Sequence, residues 1–448
     1  MTQPNILFVM VDCMRADTLW DRQRYPSLPT LDALARSSAC FTSCIAAATT
    51  TTPSVATMLT GLPLGRHGIR SLLGYTLKPE VRTLAEGLSA AGYYTAAEVT
   101  GPLFKETGLN RGFSSYYRRD RHHYLDTAWG HELRRRLREQ QYPEPWFLFL
   151  HVWELHWPRR AARSFNHPRF GASLYQRSMA YVDHLLGELF AELDLDRTAV
   201  LITGDHGEGI AGAIDDPRAI VQAGLKWSYR LTRRLPTETK KRILTLARQV
   251  ILVGRNPSVP EAQRAERAEV AGHAHLSGYD YLVRVPLVLH APGVTSPGRL
   301  IATQVRHQDI APTVLDLAGV EPAPGSGGSP SLLPLVRGQE TINRPGLTEA
   351  MRTMLHDPID NLISYRAWPY KLIFAPKNPE LPVELYDLEA DPHEGSNLAD
   401  LRADLVAQLR QQAMAELRDG VEVAGDQRMT AEEELVIKNR LEQLGYIE

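Results

Sequence analysis

The sequence predicts an α/β protein: a large mixed, mostly parallel sheet flanked by helices, with a smaller C-terminal α+β subdomain. Three observations predict it. First, Asn5–Val11 (NILFVMV), Trp146–Trp153 (WFLFLHVW) and Thr198–Thr203 (TAVLIT) are short apolar runs without alternation, the pattern of strands buried on both faces. Second, stretches of helical period lie between them, as layered α/β packing requires. Third, after about residue 340 the pattern changes to antiparallel strands and one amphipathic helix. At 448 residues the chain is too long for one small core. We therefore expect a catalytic-sized unit over 1–340 and a C-terminal subdomain over 341–448.

Taken in order, Asn5–Val11 ends in Asp12-Cys13. In open α/β sheets ligands bind beyond the carboxyl ends of strands, so Asp12 is a candidate metal ligand, the alternative being a helix cap or turn carboxylate. Residues 27–40 read as an amphipathic helix. Thr49–Gly61 (TTTTPSVATMLTG) is a run of hydroxyls leading into a Pro-Ser pair and an apolar segment stopped by Gly. Pro suits the first turn of a helix and Gly its end. A hydroxyl at that start lies near partly positive N–H groups, a good seat for a nucleophile that attacks an anionic group. The competing reading is a cluster of N-capping threonines. Leu62–Arg70, with Arg66 and His67, is turn-rich; Leu84–Ala91 is helical; Tyr93–Val99 is a strand; and 117–138 is a basic loop and helix.

Trp146–Trp153 ends in Glu154 and His156, the latter placed in a loop by the following Trp-Pro. Tyr175–Leu193 has the period of a covering helix. Thr198–Thr203 ends in Asp205-His206. Three strands thus end in carboxylate or imidazole groups, and such convergence argues for a site more strongly than any one of them. Carboxylate, imidazole and hydroxyl together suit a divalent cation with one position left open.

Residues 213–271 read as an insertion. Between Arg218 and Arg255 there are ten Lys or Arg against one acid, Glu238, with apolar residues interleaved. That pattern fits a lid or a surface for anionic lipid, or an ordinary helical hairpin with a solvated basic face. Gly272-His273-Ala274-His275 follows. Arg284–Leu289 is a strand, His307–Gly319 a loop and helix, and Gly325–Pro330 a connector. Ile363–Phe374 and Val383–Leu388 are antiparallel strands covered by a helix over Leu401–Leu417.

The formal charge of −2 gives no nucleic-acid signal, and no apolar run reaches membrane-spanning length. The opening MTQPNILFVMVDCMRAD lacks a basic n-region and a small-residue cleavage site. Cys13, Cys40 and Cys44 are too few for a disulfide framework. The expectation is a cytoplasmic protein without signal peptide. Homo-oligomerisation is left open.

The assembled motifs resemble the sulfatase branch of the alkaline phosphatase superfamily. NILFVMVDCMRAD is similar to its first strand and metal turn, and TTPSVATMLTG to its nucleophile motif. HVWELHWP is similar to the strand ending in His-x-Pro, and TGDHGE to the second metal turn. HAHLSGYDYLVRVPLVLHAPG, HQDIAPTVLDLAGV, ELYDLEADPHEGSNLAD and RLEQLGYIE resemble its later strands, C-terminal hairpin and tail. The resemblance covers nearly the whole chain except 213–271. It implies an alkaline phosphatase-like fold and a metal-dependent ester hydrolase acting on an anionic ester. By position it implies Thr51 as nucleophile and Asp12, Thr51, Asp205 and His206 as metal ligands. It further implies His156 and His275 as groups that bind non-bridging oxygens or protonate the leaving group, with His273 also contacting substrate. The cation is Zn, Mn, Mg or Ca. A second ion is left open, with Glu154, His156, His273, His275 and His307 as its candidate donors.

The departures bear on substrate. The nucleophile position of sulfatases holds Cys or Ser, which is oxidised to formylglycine, an aldehyde; oxidising Thr51, a secondary alcohol, would give a ketone. The Arg of that pattern is Val55, the second Asp of the usual Asp-Asp pair is Cys13, and TGPLFKETGLNRGF lacks the usual Gly-Lys-Trp-His. A Thr nucleophile with Asp, Asp and His instead resembles the phosphorus-acting branches. The expectation is a hydrolase of phosphate mono- or diesters or phosphonates through a phosphothreonine. The alternatives are a sulfatase without formylglycine, a phosphoryl transferase, and a non-catalytic scaffold. Cys13 reads as a packing residue or a soft metal ligand.

Overall fold

The computed structural model describes residues 3–25, 28–157, 159–209, 277–321, 328–350, 361–419 and 429–443. The insertion at 213–271, the Gly272–His275 stretch and part of the Gly/Ser connector lie outside the described residues. The strands are β1 (Asn5–Val11), β2 (Ala39–Ile45), β3 (Tyr94–Val99), β4 (Ser115–Arg118), β5 (Trp146–Val152), β6 (Thr198–Gly204), β7 (Arg284–His290), β8 (Arg299–Ile301), β9 (Val305–Arg306), β10 (Gly346–Ala350), β11 (Leu362–Ala367), β12 (Tyr370–Phe374) and β13 (Glu384–Asp387).

The large sheet runs β4-β3-β5-β1-β6-β7-β2-β8, with β9 also on β2. Strand β7 is antiparallel to both neighbours, and the other pairings are parallel. The mostly parallel α/β expectation is thereby met. All seven residues of β1 are buried because two helical layers cover the sheet. Ile6, Phe8 and Met10 enter one core, with Val55, Met58 and Leu59 of the helix Thr51–Thr60. Leu7, Val9 and Val11 enter the other, with Met179, Val182 and Leu186 of the helix Leu174–Phe190. This two-sided burial is why the run does not alternate. No described helix is long and apolar enough to cross a membrane.

Two expectations about the sheet need correction. The helix expected over 27–40 is Pro29–Arg36, and β2 begins at Ala39. Ser37 and Ser38 end the helix, their hydroxyls donating back to Leu34 O at 3.0 and 2.6 Å. Within 117–138 the helix is confined to Ala128–Arg138, and β4 precedes it as an edge strand.

The C-terminal sheet is antiparallel, in the order β10-β11-β12-β13. One face packs on Leu405, Leu409 and Ala413 of the helix Ala403–Asp419, the other on Tyr279, Tyr281 and Leu282. This sheet also braces the loop that follows β2. Thr348 Oγ1 donates to Ala46 O at 2.6 Å, Glu349 N to Ala47 O at 3.0 Å, and Thr49 N to Glu349 O at 3.4 Å. That loop leads into Thr51.

The two helices Pro29–Arg36 and Leu174–Phe190 are joined through one buried carboxylate. Asp183 accepts the Thr30 and Leu31 amides at 3.1 and 2.8 Å, satisfying orphan donors of the neighbouring helix. Burial pushes its carboxyl from the ordinary 3.8 up to about 6, against those hydrogen bonds. The folded state therefore holds this proton more tightly than the unfolded chain. The contribution is fully present below pH 3.8 and is lost as the pH rises through about 6. A shift of two units corresponds to about 3 kcal/mol. Asp183→Asn, which keeps an acceptor and removes the titration, should flatten the fall in melting temperature between pH 4 and 7. Parallel pH profiles for the two proteins in thermal melts would contradict this account.

Candidate functional site

Three adjacent central strands, β5, β1 and β6, deliver side chains to one edge of the sheet. Asp12 follows β1, its amide donating to Val152 O at 2.9 Å. Asp205 and His206 follow β6, paired in register with β1 up to Val11 and Gly204. Thr51 comes from β2, three strands away from β1, by way of the braced loop. Asp12, Thr51, Asp205 and His206 are all buried.

The hydroxyl cluster lies at the start of the helix Thr51–Thr60. Thr50 occupies the helix N-cap, yet its side chain makes no capping bond and its buried Oγ1 has no hydrogen-bond partner among the described residues. Thr51, the first helical residue, donates to Asp12 Oδ2 at 3.4 Å. Ser54 fixes the turn by donating to Ala48 O at 3.0 Å. Gly61 closes the helix with φ of 72°, a left-handed conformation that Gly adopts without steric cost. Val55, where a sulfatase pattern has Arg, is a core residue.

The carboxylates are held at fixed angles. Asp205 Oδ1 accepts the amides of Cys13 and His206 at 3.0 and 2.9 Å. Its Oδ2 has no hydrogen-bond partner among the described residues and lies 3.4 Å from His206 Nε2. His206 Nδ1 donates to Gly207 O at 2.7 Å, since a carbonyl can only accept. In the neutral ring the lone pair therefore sits on Nε2, facing the carboxylates. Gly207 is required here: a Cβ would lie 1.9 Å from Tyr281 O. Tyr175 braces the turn after β1, donating to Cys13 O at 2.7 Å and accepting from Arg15 N at 3.1 Å.

The electrostatics follow from burial and proximity. Burial opposes ionisation of Asp12, but a hydrogen bond from His151 and the charges of His156, His151 and His206 outweigh it and hold the carboxyl well below the usual range. Burial and the Asp12 charge push Asp205 up to about 6. Burial disfavours the His206 cation, but Asp205 and Asp12 outweigh it and raise its pKa. An Asp12 oxygen lies within 4.8 Å of a His206 ring nitrogen, and Asp205 Oδ2, unsatisfied among the described residues, lies 3.4 Å from Nε2; carboxylate and imidazole donors so placed fit a divalent cation by their donor chemistry.

His156 stacks on Trp153 with centroids 3.6 Å apart, and its Nδ1 donates to Trp157 O at 2.6 Å. Its charge is among those that depress Asp12. His273 and His275 lie outside the described residues. Glu154 is not an open donor, because its two oxygens accept the Leu125 and Trp153 amides at 2.7 and 2.8 Å. His307 is also committed: Nε2 donates to Gly204 O at 3.0 Å and Nδ1 accepts from Ala47 N at 3.4 Å. Burial lowers its pKa to about 3, which suits a neutral pin between β6 and the loop that leads to Thr51. His67 is likewise a neutral core residue, bonded to Thr57 Oγ1 and to the Ile69 amide.

His151 is a residue of the cluster for which the sequence offers no stated role. Its Nε2 donates to Asp12 Oδ2 at 3.0 Å. A signal existed. His151 pairs with Met10, and Met10 and Asp12, two residues apart, share a face. Cys13, read as packing or soft ligand, places its Sγ 2.9 Å from Asp12 Oδ1.

Comparison with known proteins agrees with this architecture. The sulfatase family model matches residues 4–320, and the model for the C-terminal part of N-sulphoglucosamine sulphohydrolase matches 277–420. Choline-sulfatase of Rhizobium meliloti is 38% identical over 120 residues, 26% of this chain; the chain spans only 22% of that relative's length. The phosphonate monoester hydrolase of Silicibacter pomeroyi superposes with a TM-score of 0.69 at 17% identity, over 94% of this chain and 96% of that one. A putative sulfatase from Bacteroides thetaiotaomicron gives 0.67 at 18% identity, over 93% of each chain. The family match covers most of the chain and includes every strand that supplies Asp12, Thr51, Asp205 and His206; the protein therefore belongs to the sulfatase family, within the alkaline phosphatase-like superfamily.

Proposed function

We propose that the chain is a metal-dependent hydrolase of phosphate mono- or diesters or phosphonate esters, with Thr51 as nucleophile. The observation that carries this reading is the Thr51 hydroxyl, at the first turn of a helix, directed at Asp12 Oδ2 beside Asp205 and His206. Asp12, Asp205 and His206 would hold a divalent cation, with Thr51 Oγ1 beside them. Such a cation supplies positive charge that lowers the pKa of a nearby hydroxyl and offsets the negative charge of the ester.

The chain's own groups do the rest. The helix N-terminus presents Thr51 with partly positive amides behind it, which favours an anionic substrate. His151 donates to Asp12 and keeps it ionised and oriented. Thr51 Oγ, its proton given up to solvent, attacks phosphorus as the bond to the leaving alcohol breaks. The alcohol departs with a proton, for which His156 is the described candidate donor. Water then cleaves the threonine ester of the phosphoryl or phosphonyl group, giving a proton back to Thr51 and releasing phosphate, a phosphate monoester or the phosphonate.

The identity with choline-sulfatase favours a second reading, sulfate ester hydrolysis without formylglycine. The Thr51 side chain supports the first, because its β-carbon carries a methyl group and cannot be oxidised to an aldehyde. A panel of aryl phosphate, bis-aryl phosphate, aryl phosphonate and aryl sulfate separates the two. We expect kcat/KM to be highest on a phosphorus ester; a preference for sulfate would overturn the assignment.

Thr51→Ala should lower kcat by more than about 10³-fold, as loss of a nucleophile does, while changing stability by less than about 1 kcal/mol. Full activity in that variant would remove Thr51 from the mechanism. Exhaustive chelation should abolish turnover, and one equivalent of a divalent ion should restore it. Asp205→Asn should weaken ion binding measured by calorimetry; unchanged binding would exclude Asp205 as a ligand.

A further inference from the structure

Cys13 occupies the turn between β1 and the site in a way that packing alone does not explain. Its backbone is left-handed, with φ of 61°. A non-glycine residue pays for that conformation, and such strain points to a role for the side chain it directs. The amide it frees donates to Asp205 Oδ1, and its carbonyl accepts from Tyr175, so the residue is clamped from both sides. Its Sγ is buried and donates to Asp12 Oδ1 at 2.9 Å. A donor oxygen of Asp12, a ring nitrogen of His206 and the Cys13 sulfur all lie within 4.8 Å of one another. Tetrahedral coordination with ordinary bond lengths separates oxygen and sulfur donors by about 3.6 Å, so only small side-chain movements are needed. The buried Asp205 Oδ2, which has no hydrogen-bond partner among the described residues, lies 3.4 Å from His206 Nε2.

We propose that Cys13 binds as a thiolate to the same cation as Asp12 and His206, so that the site selects a thiophilic ion such as Zn²⁺ over Mg²⁺, Ca²⁺ or Mn²⁺. This rests on the metal site proposed above and names its ion. Sulfur ligands favour Zn²⁺ and Co²⁺, whereas carboxylate-only sets suit hard cations. Coordination removes the thiol proton, which leaves to solvent, and the Asp12 oxygen that had accepted it turns to the ion.

The probe is Co²⁺ alone, added to metal-free full-length protein and followed by absorption spectroscopy. We expect one equivalent to bind with a near-ultraviolet sulfur-to-cobalt charge-transfer band. Cys13→Ser should lose the band and bind Zn²⁺ more weakly by on the order of 10- to 100-fold, while Mn²⁺ affinity changes little. X-ray absorption of the Zn²⁺-loaded wild type, which needs no variant to fold, should show one sulfur scatterer. One equivalent bound with no charge-transfer band and no sulfur scatterer would overturn the Cys13 assignment and leave the metal site standing. Failure of the wild type to bind any divalent ion would overturn both.

Discussion

Two carboxylates, Asp12 and Asp205, are buried side by side at the carboxyl edge of the central sheet, and the rest of the site follows from how their repulsion is managed. In the protein alone the charge is concentrated on Asp12 by His151, His156 and His206, and Asp205 is pushed toward the neutral form. Buried carboxylates that repel each other call for a cation. The neighbouring backbone is arranged accordingly. The Cys13 and His206 amides hold one oxygen of Asp205, and His206 spends its Nδ1 on a carbonyl. Asp12 and Asp205 are thereby fixed before any ion arrives, which is the preorganisation that an electrostatic site needs.

The fold supplies this edge economically. Neighbouring parallel strands β5, β1 and β6 place three polar ends within one cluster, while the apolar interior of the same strands is locked between two cores. Thr51 reaches the cluster from β2 only because its loop is held at both ends. His307 ties Ala47 to Gly204 at the end of β6. The end of β10 supports Ala46, Ala47 and Thr49. The C-terminal sheet thus contributes to the position of Thr51, and among the described residues it adds no side chain to the cluster of Asp12, Cys13 and His206.

Much of this was legible in the sequence. β1, β5 and β6 were recognisable as apolar runs, and Asp12, Asp205 and His206 as their polar ends, because burial on both faces leaves an unmistakable composition. The strands β2, β4 and β10 were not. β2 (ACFTSCI) is rich in small polar residues and follows a helix whose period obscures the break at Ser37. β4 has four residues at the sheet edge, and β10 five at the edge of the second sheet. The histidines divide by partner. His67 and His307 are neutral core groups with both ring nitrogens engaged, whereas His151 reaches Asp12 across a pairing that only register reveals. The left-handed turn at Cys13 is a backbone property with no sequence signal, so its sulfur could not be placed without coordinates.

The central claim is that Thr51, rather than water, attacks the ester. The stereochemical course at phosphorus tests it most directly, using a substrate made chiral with sulfur and oxygen isotopes. Two successive in-line displacements, first by Thr51 and then by water, give net retention of configuration, which is the result this account predicts. Net inversion would mean that water displaces the leaving group in a single step, and it would contradict a covalent phosphothreonine.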